Sequence, residues 1–109
     1  MKLVYFDLYG RAEPARILLH LAKAEFEDVR LQREDWPTYR TEHADEIEFG
    51  QLPVLYHDGK QINQSQSIVR YLGRTYGFYP TDAYEAWRVD SFLDAFSDTM
   101  SQLPKIQWE

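Results

Sequence analysis

The 109 residues contain no cysteine and no long hydrophobic run, and acidic side chains outnumber basic ones. Without cysteine there is no disulfide, cysteine metal site or cysteine nucleophile, so any thiol chemistry must use the thiol of a substrate. No apolar run approaches the ~18 residues of a membrane span, and residues 1–9 lack the features of a signal peptide, so we expect a cytoplasmic protein. The formal net charge of −6 argues against nucleic acid and anionic membranes as partners, because both favour a basic surface.

The hydrophobic content of 44%, with 16% aromatic residues, is enough to bury a core. Hydrophobic periodicity, glycines and prolines predict strands at residues 2–8, 26–31, 54–56 and 60–63. They predict helices after Gly10, from 36 to about 47, from a Ser65 cap to about 76, and at 84–103. A βαβ unit followed by a ββα unit predicts an α/β, thioredoxin-like, four-stranded mixed sheet, followed by a linker and one long helix.

Two side chains near the end of the first strand are candidates for a ligand site. Tyr5 lies within the strand, where it is either a core aromatic with a paired hydroxyl or a hydroxyl directed at a ligand. Arg11 opens the following helix, where a cation opposes the helix dipole. This local conflict favours a special role for Arg11, with a solvated surface arginine as the alternative.

The segment Gly50-Gln51-Leu52-Pro53 interrupts the chain just before the third strand. Pro53 either simply begins that strand or forms a cis turn, which in proteins usually has a specific purpose. A cis turn could leave the backbone of Leu52 unpaired at a sheet edge. An extended peptide ligand would then pair with it as an added strand.

Two further pairs of residues are candidates for binding carboxylates. Gln64 and Ser65 begin a helix, so they form either an ordinary cap or, with the free N–H groups of the first turn, an anion site. Trp36 and Arg40 share one helix face, which is either a carboxylate site or a solvated face with an extended arginine. The three histidines have no ligand spacing, and we predict no metal site. Together the candidates describe a pocket for a short anionic peptide.

In combination and order, these residues resemble the N-terminal domain of the cytosolic glutathione transferases over nearly the whole chain. The motifs that carry the resemblance are residues 5–13 (YFDLYGRAE), 34–37 (EDWP), 49–55 (FGQLPVL), and Gln64-Ser65 followed by 68–72 (IVRYL). The tyrosine-type beginning and the Arg-Ala-Glu triplet are most similar to the sigma class, which includes prostaglandin D synthases of the haematopoietic type.

The resemblance implies a role for each candidate toward glutathione, the co-substrate. Tyr5 would donate a hydrogen bond to the sulfur, and Arg11 would support the thiolate electrostatically. The other glutathione-binding residues that it implies are Trp36, Arg40 and Gln51 at the glycyl end, Leu52 and Pro53 at the cysteinyl unit, Gln64 and Ser65 at the γ-glutamyl carboxylate, and Asp98, which would reach the glutathione of the neighbouring subunit in a homodimer. An apolar electrophile would contact Phe6, Leu8, Tyr9 and Met100.

The chain departs from the sigma-type pattern in three respects. Tyr9 stands where arginine is frequent, and Gln51 stands where lysine is frequent, which weakens the positive field on the glycyl carboxylate. Only the first helix of the family's second, all-helical domain is present. We therefore expect a thioredoxin-like glutathione-binding domain at residues 1–76, a linker at 77–83 and the first helix of an incomplete helical domain at 84–109.

The function that the resemblance implies is activation of the glutathione thiol for attack on an apolar electrophile, as in detoxification, or for isomerisation of a prostaglandin-type peroxide. The alternative is a non-catalytic glutathione-transferase-like module, or truncated fragment, used for dimerisation or assembly. Truncation favours this alternative, because an open electrophile site catalyses poorly, whereas the intact set of candidate residues argues against it. A glutaredoxin-type thiol oxidoreductase is excluded, because its chemistry needs a cysteine.

Overall fold

The computed structural model describes residues 1–103, which form four strands and four α-helices. The strands are β1 (Lys2–Phe6), β2 (Glu27–Leu31), β3 (Val54–His57) and β4 (Lys60–Asn63). The helices are α1 (Glu13–Leu21), α2 (Trp36–Glu42), α3 (Ser65–Thr75) and α4 (Ala83–Ser101). Short 3₁₀ turns at Gly10–Ala12 and Arg33–Asp35 lead into α1 and α2.

The sheet has the strand order β2-β1-β3-β4. The β1 strand is parallel to β2 and antiparallel to β3, and β3 and β4 form an antiparallel hairpin through Asp58 and Gly59. Because β1 is central and covered on both faces, its apolar run is continuous, and Leu3 and Val4 are fully buried. The predicted thioredoxin-like mixed sheet is therefore confirmed.

Strand alternation assigns the helices to opposite faces of the sheet. On one face α1 packs against α3, and the Nδ1 atom of His57 in β3 lies 2.7 Å from the hydroxyl of Tyr71 in α3. On the other face Phe6 contacts Trp36 of α2 edge-on, with ring centroids 5.8 Å apart. The carboxyl end of β1 therefore lies between α2 and the α1–α3 layer.

Several boundaries differ from the predicted ones. The first strand ends at Phe6, because the chain turns there into the 3₁₀ segment. The prediction that the second helix continues to about residue 47 is wrong: α2 ends at Glu42, since it has no buried residue to sustain it, and Ile47 enters the core from the following turn. The predicted cap at Ser65 is also wrong, because Gln64 occupies the N-cap position and Ser65 is the first helical residue.

Polar contacts join α4 to the middle of α3 and to the segment that follows α3. Arg70 donates from Nε to Asp90 over 2.8 Å and from Nη2 to Asp94 over 3.3 Å, and the Tyr79 hydroxyl also donates to Asp90. On α4 only Leu93 is buried. Within residues 1–103, every helix is too short or too polar to cross a membrane.

Candidate functional site

A cavity of about 570 Å³ opens where the carboxyl end of β1 meets the segment before β3, the start of α3 and the second half of α4. Its walls are therefore assembled from parts of the chain that are distant in sequence. Of the residues predicted to form a site, those that line this cavity are Tyr5, Phe6, Arg11, Trp36, Gln51, Leu52, Pro53, Gln64, Ser65 and Met100.

Tyr5 is held by its place in the central strand, and its side chain is only 4% exposed. The backbone N–H of Arg11 donates to the Tyr5 hydroxyl oxygen over 3.1 Å. Burial raises the pKa of Tyr5, while that hydrogen bond and the positive charges of Arg11 and Arg16 oppose the rise. The phenol is therefore protonated at neutral pH, and its own hydrogen is available for a group in the cavity.

Gly10 makes the close approach of the Arg11 backbone to Tyr5 possible. Its φ of +46° lies in the region that glycine adopts most readily. A Cβ atom at this position would lie 2.6 Å from the Tyr5 hydroxyl oxygen and 2.5 Å from Cδ1 of Leu8. The turn that places the N–H at the phenol thus requires glycine for both conformation and space.

The segment before β3 lines the cavity through Gly50, Gln51, Leu52 and Pro53. Leu52 and Pro53 are joined by a cis peptide bond. Of the two alternatives for Pro53, the structure has the cis turn. The paired region of β1 and β3 ends at Val4 and Val54, so Leu52 lies beyond the ladder. This geometry suits a ligand that adds an extended backbone next to Leu52.

The start of α3 forms the third wall. Gln64, Ser65, Gln66 and Ser67 all line the cavity. The first N–H groups of a helix have no intrahelical acceptor, and the helix dipole is positive at this end, so the wall suits a carboxylate. Gln64 has a φ of +74° and no side-chain capping bond, an uncommon conformation for a residue other than glycine.

The fourth wall comes from α4, of which only Met100 was expected to line the cavity. Ser97, Ser101 and Leu103 line it as well. Nη2 of Arg11 donates to the Ser101 hydroxyl over 3.4 Å, so the Arg11 side chain spans from the β1–α1 loop to α4. The spacing of 97, 100 and 101 along one helix face is the only signal in the sequence that groups these residues.

Four predicted site residues do not line the cavity. Arg40 is exposed on α2, and its guanidinium lies beside Gly50, where an added Cβ would be 2.8 Å from Nη2. Leu8 packs against the core, and Tyr9 is 75% exposed. Asp98 is exposed on α4.

Sequence reasoning missed Arg16, which is 2% exposed and supports the loop after β1. Its guanidinium donates to the backbone oxygens of Phe6, Leu8 and Tyr9, and Nε donates to Asp28 over 3.1 Å. Its Cζ lies 5.6 Å from the centroid of the Tyr5 ring. The available signal was its position on the apolar stripe of α1, between Ala12 and Leu19.

The fold and the cavity define a thioredoxin-like domain with a site beside its cis-proline turn, and comparisons with known proteins define it further. Residues 1–74 match the family model described as glutathione S-transferase, N-terminal domain. The chain is 46% identical over 102 residues to glutathione S-transferase 1 of Ascaris suum, covering 94% of this chain and 48% of that protein. The chain belongs to the glutathione S-transferase family.

Solved structures agree with this assignment. A Nu-class glutathione S-transferase from Haemonchus contortus superimposes with a TM-score of 0.80 at 45% identity, covering 95% of this chain and 49% of that one. Prostaglandin synthase D of Nilaparvata lugens superimposes with a TM-score of 0.80 at 41% identity, covering 92% and 48%. The chain thus spans about half the length of the curated relatives that it matches.

Proposed function

We propose that this protein binds glutathione and activates its thiol for transfer to an electrophile. The observation that carries the proposal is the buried Tyr5 hydroxyl, which accepts the Arg11 N–H and keeps its own hydrogen for the cavity. Family membership supports the choice of glutathione as co-substrate.

The peptide ligand is bound along three walls of the cavity. Its γ-glutamyl carboxylate binds at the start of α3, where Gln64 and Ser65 add an amide and a hydroxyl to the free N–H groups. Its cysteinyl unit pairs with the backbone of Leu52. Its glycyl carboxylate lies toward Trp36 and Gln51, with the Arg40 charge beside Gly50.

With glutathione in this position, its sulfur lies within reach of Tyr5. A free thiol has a pKa of about 8.5, so it is only a few per cent thiolate at about pH 7. Lowering that pKa by about two units takes ~2.7 kcal/mol of preferential stabilisation of the thiolate. One hydrogen bond to a charged group contributes about 1.5–3 kcal/mol, so Tyr5 alone accounts for most of the activation. The positive charge of the Arg11 guanidinium further stabilises the thiolate.

The finer features of the proposal concern class, assembly and substrate. We infer a sigma-like, cytoplasmic homodimer in which Asp98 reaches the glutathione of the partner subunit; its exposure on α4 is compatible with that role. The electrophile is a small apolar molecule that contacts Phe6 and Met100, with Leu8 and Tyr9 near the same end of β1. One structural neighbour is described as a prostaglandin synthase, which supports isomerisation of a peroxide as a second activity in a detoxification enzyme.

The proposed domain division follows the elements. Residues 1–76 form the thioredoxin-like domain, 77–83 the linker and 84–109 the first helix of a helical domain, of which 104–109 lie outside the described residues. The gap between the end of α3 at Thr75 and the start of α4 at Ala83 supports these limits.

Two measurements on the 109-residue chain test the proposal. Retention on immobilised glutathione, with elution by free glutathione, tests the site, and conjugation of glutathione to a chromogenic aryl halide tests the chemistry. We expect both to be positive. Retention without conjugation would favour the non-catalytic module, and absence of retention would refute glutathione as the ligand.

A further inference from the structure

A cluster of four polar side chains lies outside the cavity and connects the α2 region to the sheet. We call it the α2 anchor; its members are Tyr39, His43, Glu46 and Tyr56. The Tyr56 hydroxyl donates to Oε2 of Glu46 over 2.8 Å, and Nδ1 of His43 lies 2.9 Å from the same oxygen. The Tyr39 and Tyr56 hydroxyls are 3.4 Å apart, and the Tyr39 and His43 rings stack at 4.0 Å.

The anchor is firmly fixed on its sheet side. Tyr56 belongs to β3 and pairs directly with Lys2 of β1, whose Nζ lies 4.7 Å from the Tyr56 ring centroid. The backbone oxygen of Glu46 accepts a hydrogen bond of 3.4 Å from Asn63 in β4. Hydrogen bonds from Tyr56 and His43 lower the pKa of Glu46, so its carboxylate is charged at neutral pH. The cluster therefore contains a charge-assisted hydrogen bond, which is stronger than a bond between neutral groups.

The other end of the anchor is a part of the cavity wall with little buried surface. The α2 helix has no buried residue, and between Trp36 and Gly50 the only buried side chain is Ile47. Trp36 and Gly50 both line the cavity, and the segment that joins them carries three of the four anchor residues. None of the four lines the cavity itself. Only Trp36 and Tyr39 of α2 pack against the core, and both are partly buried. A short helix with so little buried surface depends on such polar contacts for its position.

We propose that the α2 anchor is a positioning device that sets glutathione affinity by holding the α2 segment, and with it the glycyl end of the site, against β3. This inference rests on the proposed function. Its members act through Trp36, Arg40 and Gly50 rather than by touching glutathione. Loss of the anchor therefore weakens binding, while activation of the thiol is unaffected, because Tyr5 is held by β1 and by the Arg11 N–H, outside the α2 segment.

The test is a comparison of conservative variants of the full 109-residue chain. Tyr56→Phe removes only the hydroxyl that donates to Glu46. Tyr71→Phe is the matched control, because it removes a hydroxyl with a 2.7 Å partner, His57, from the opposite face of the sheet. Glu46→Gln keeps an oxygen acceptor for Tyr56, whereas Glu46→Ala removes it.

Calorimetric titration with reduced glutathione, initial rates and hydrogen exchange provide the readouts. We expect Tyr56→Phe and Glu46→Ala to raise the Kd about fivefold, which corresponds to about 1 kcal/mol. We expect faster exchange of the amides of residues 36–50, with kcat at saturating glutathione and the pKa of the bound thiol unchanged. Glu46→Gln should retain most of the affinity, and Tyr71→Phe all of it.

Three outcomes would overturn the inference. Tyr56→Phe and Glu46→Ala could bind glutathione as tightly as the wild type, Tyr71→Phe could weaken binding equally, or kcat could fall in parallel with affinity. In each of these cases the wild type still binds glutathione, and the proposed function stands. Failure of the wild type to bind at all would overturn both.

Discussion

The backbone N–H of Arg11 donates a 3.1 Å hydrogen bond to the hydroxyl oxygen of Tyr5. The chain turns through Gly10 to make this contact, so the phenol is oriented by backbone rather than by a mobile side chain. An acceptor lone pair of the phenol is thereby occupied, and its hydrogen is free to bond to a developing thiolate. Because of this hydrogen bond, we expect replacement of Tyr5 to affect activation of the thiol specifically.

Replacing Tyr5 by phenylalanine should slow conjugation about 10- to 100-fold, because a hydrogen bond to a charged sulfur is worth about 1.5–3 kcal/mol. Glutathione affinity should change little, since the carboxylate contacts remain. The pKa of the bound thiol, followed by thiolate absorbance, should rise toward about 8.5, and the pH–rate profile should move to higher pH. Tyr84→Phe, at a 64% exposed tyrosine of α4, is the control that should leave both unchanged. Unaltered turnover in Tyr5→Phe would refute the role of Tyr5.

Alanine at Gly10 should impair catalysis through steric displacement of the Tyr5 hydroxyl. Gly59 provides a matched control, because its φ is +73° but a Cβ there would meet nothing within 4 Å. Both variants should lose about 1–3 kcal/mol of stability from the positive φ. Only Gly10→Ala should also raise the pKa of the bound thiol and lower kcat, as measured in the same assays. Equal kcat values for the two variants would contradict the claim that a Cβ at position 10 displaces the Tyr5 hydroxyl.

Methionine at Arg16 should destabilise the fold by about 3–5 kcal/mol, because it leaves two carboxylates, Asp28 and Glu13, and three backbone oxygens without their buried donor. Arg30 is the control: it donates to the other oxygen of the same carboxylate, Asp28, but is itself exposed. Arg30→Met should cost only about 0–1 kcal/mol. Urea denaturation of the two variants makes the comparison. If both variants lost similar amounts of unfolding free energy, burial of Arg16 would not add to its contribution to stability.

The contact between α3 and α4 should depend on pH through Asp90. Hydrogen bonds lower the pKa of this carboxyl in the folded state, the one from Arg70 more than the one from Tyr79. Its contribution to stability is therefore complete above the unfolded pKa of about 3.9 and is lost as the pH falls through the lower folded value. Thermal unfolding should show a lower Tm for Asp90→Asn at neutral pH and a vanishing difference in strong acid. A difference independent of pH would exclude this explanation.

Much of the fold followed from local patterns, because those patterns reflect constraints that act over a few residues. The hairpin from Val54 to Asn63 was predicted almost to the residue, since Asp-Gly sets a two-residue turn between alternating strands. The central strand was recognised by its continuous apolar run. Where the local pattern was weak, the prediction failed: the thin stripe of α2 supports a helix only to Glu42.

Part of the cavity lining was predicted for a similar reason. The residues Gln51 to Pro53 and Gln64 to Ser65 were recognised because a proline turn and a polar helix start have local sequence signals. Arg16 was missed, because its role depends on long-range contacts. Its partners, Asp28 and the carbonyl oxygens after β1, are brought to it only by the tertiary fold.

The pattern of residues alone indicated a thioredoxin-like sheet, the absence of cysteine from these 109 residues and candidate motifs for binding a short anionic peptide, because these depend on residue type and short-range spacing. Long-range packing determined the rest. It brings Ser97 and Ser101 of α4 into the same cavity lining as Arg11, leaves Tyr9 exposed, and places the Tyr56 hydroxyl of β3 3.4 Å from that of Tyr39 in α2. Such contacts join residues far apart in the chain, and their energies depend on burial and distance, which no local pattern specifies.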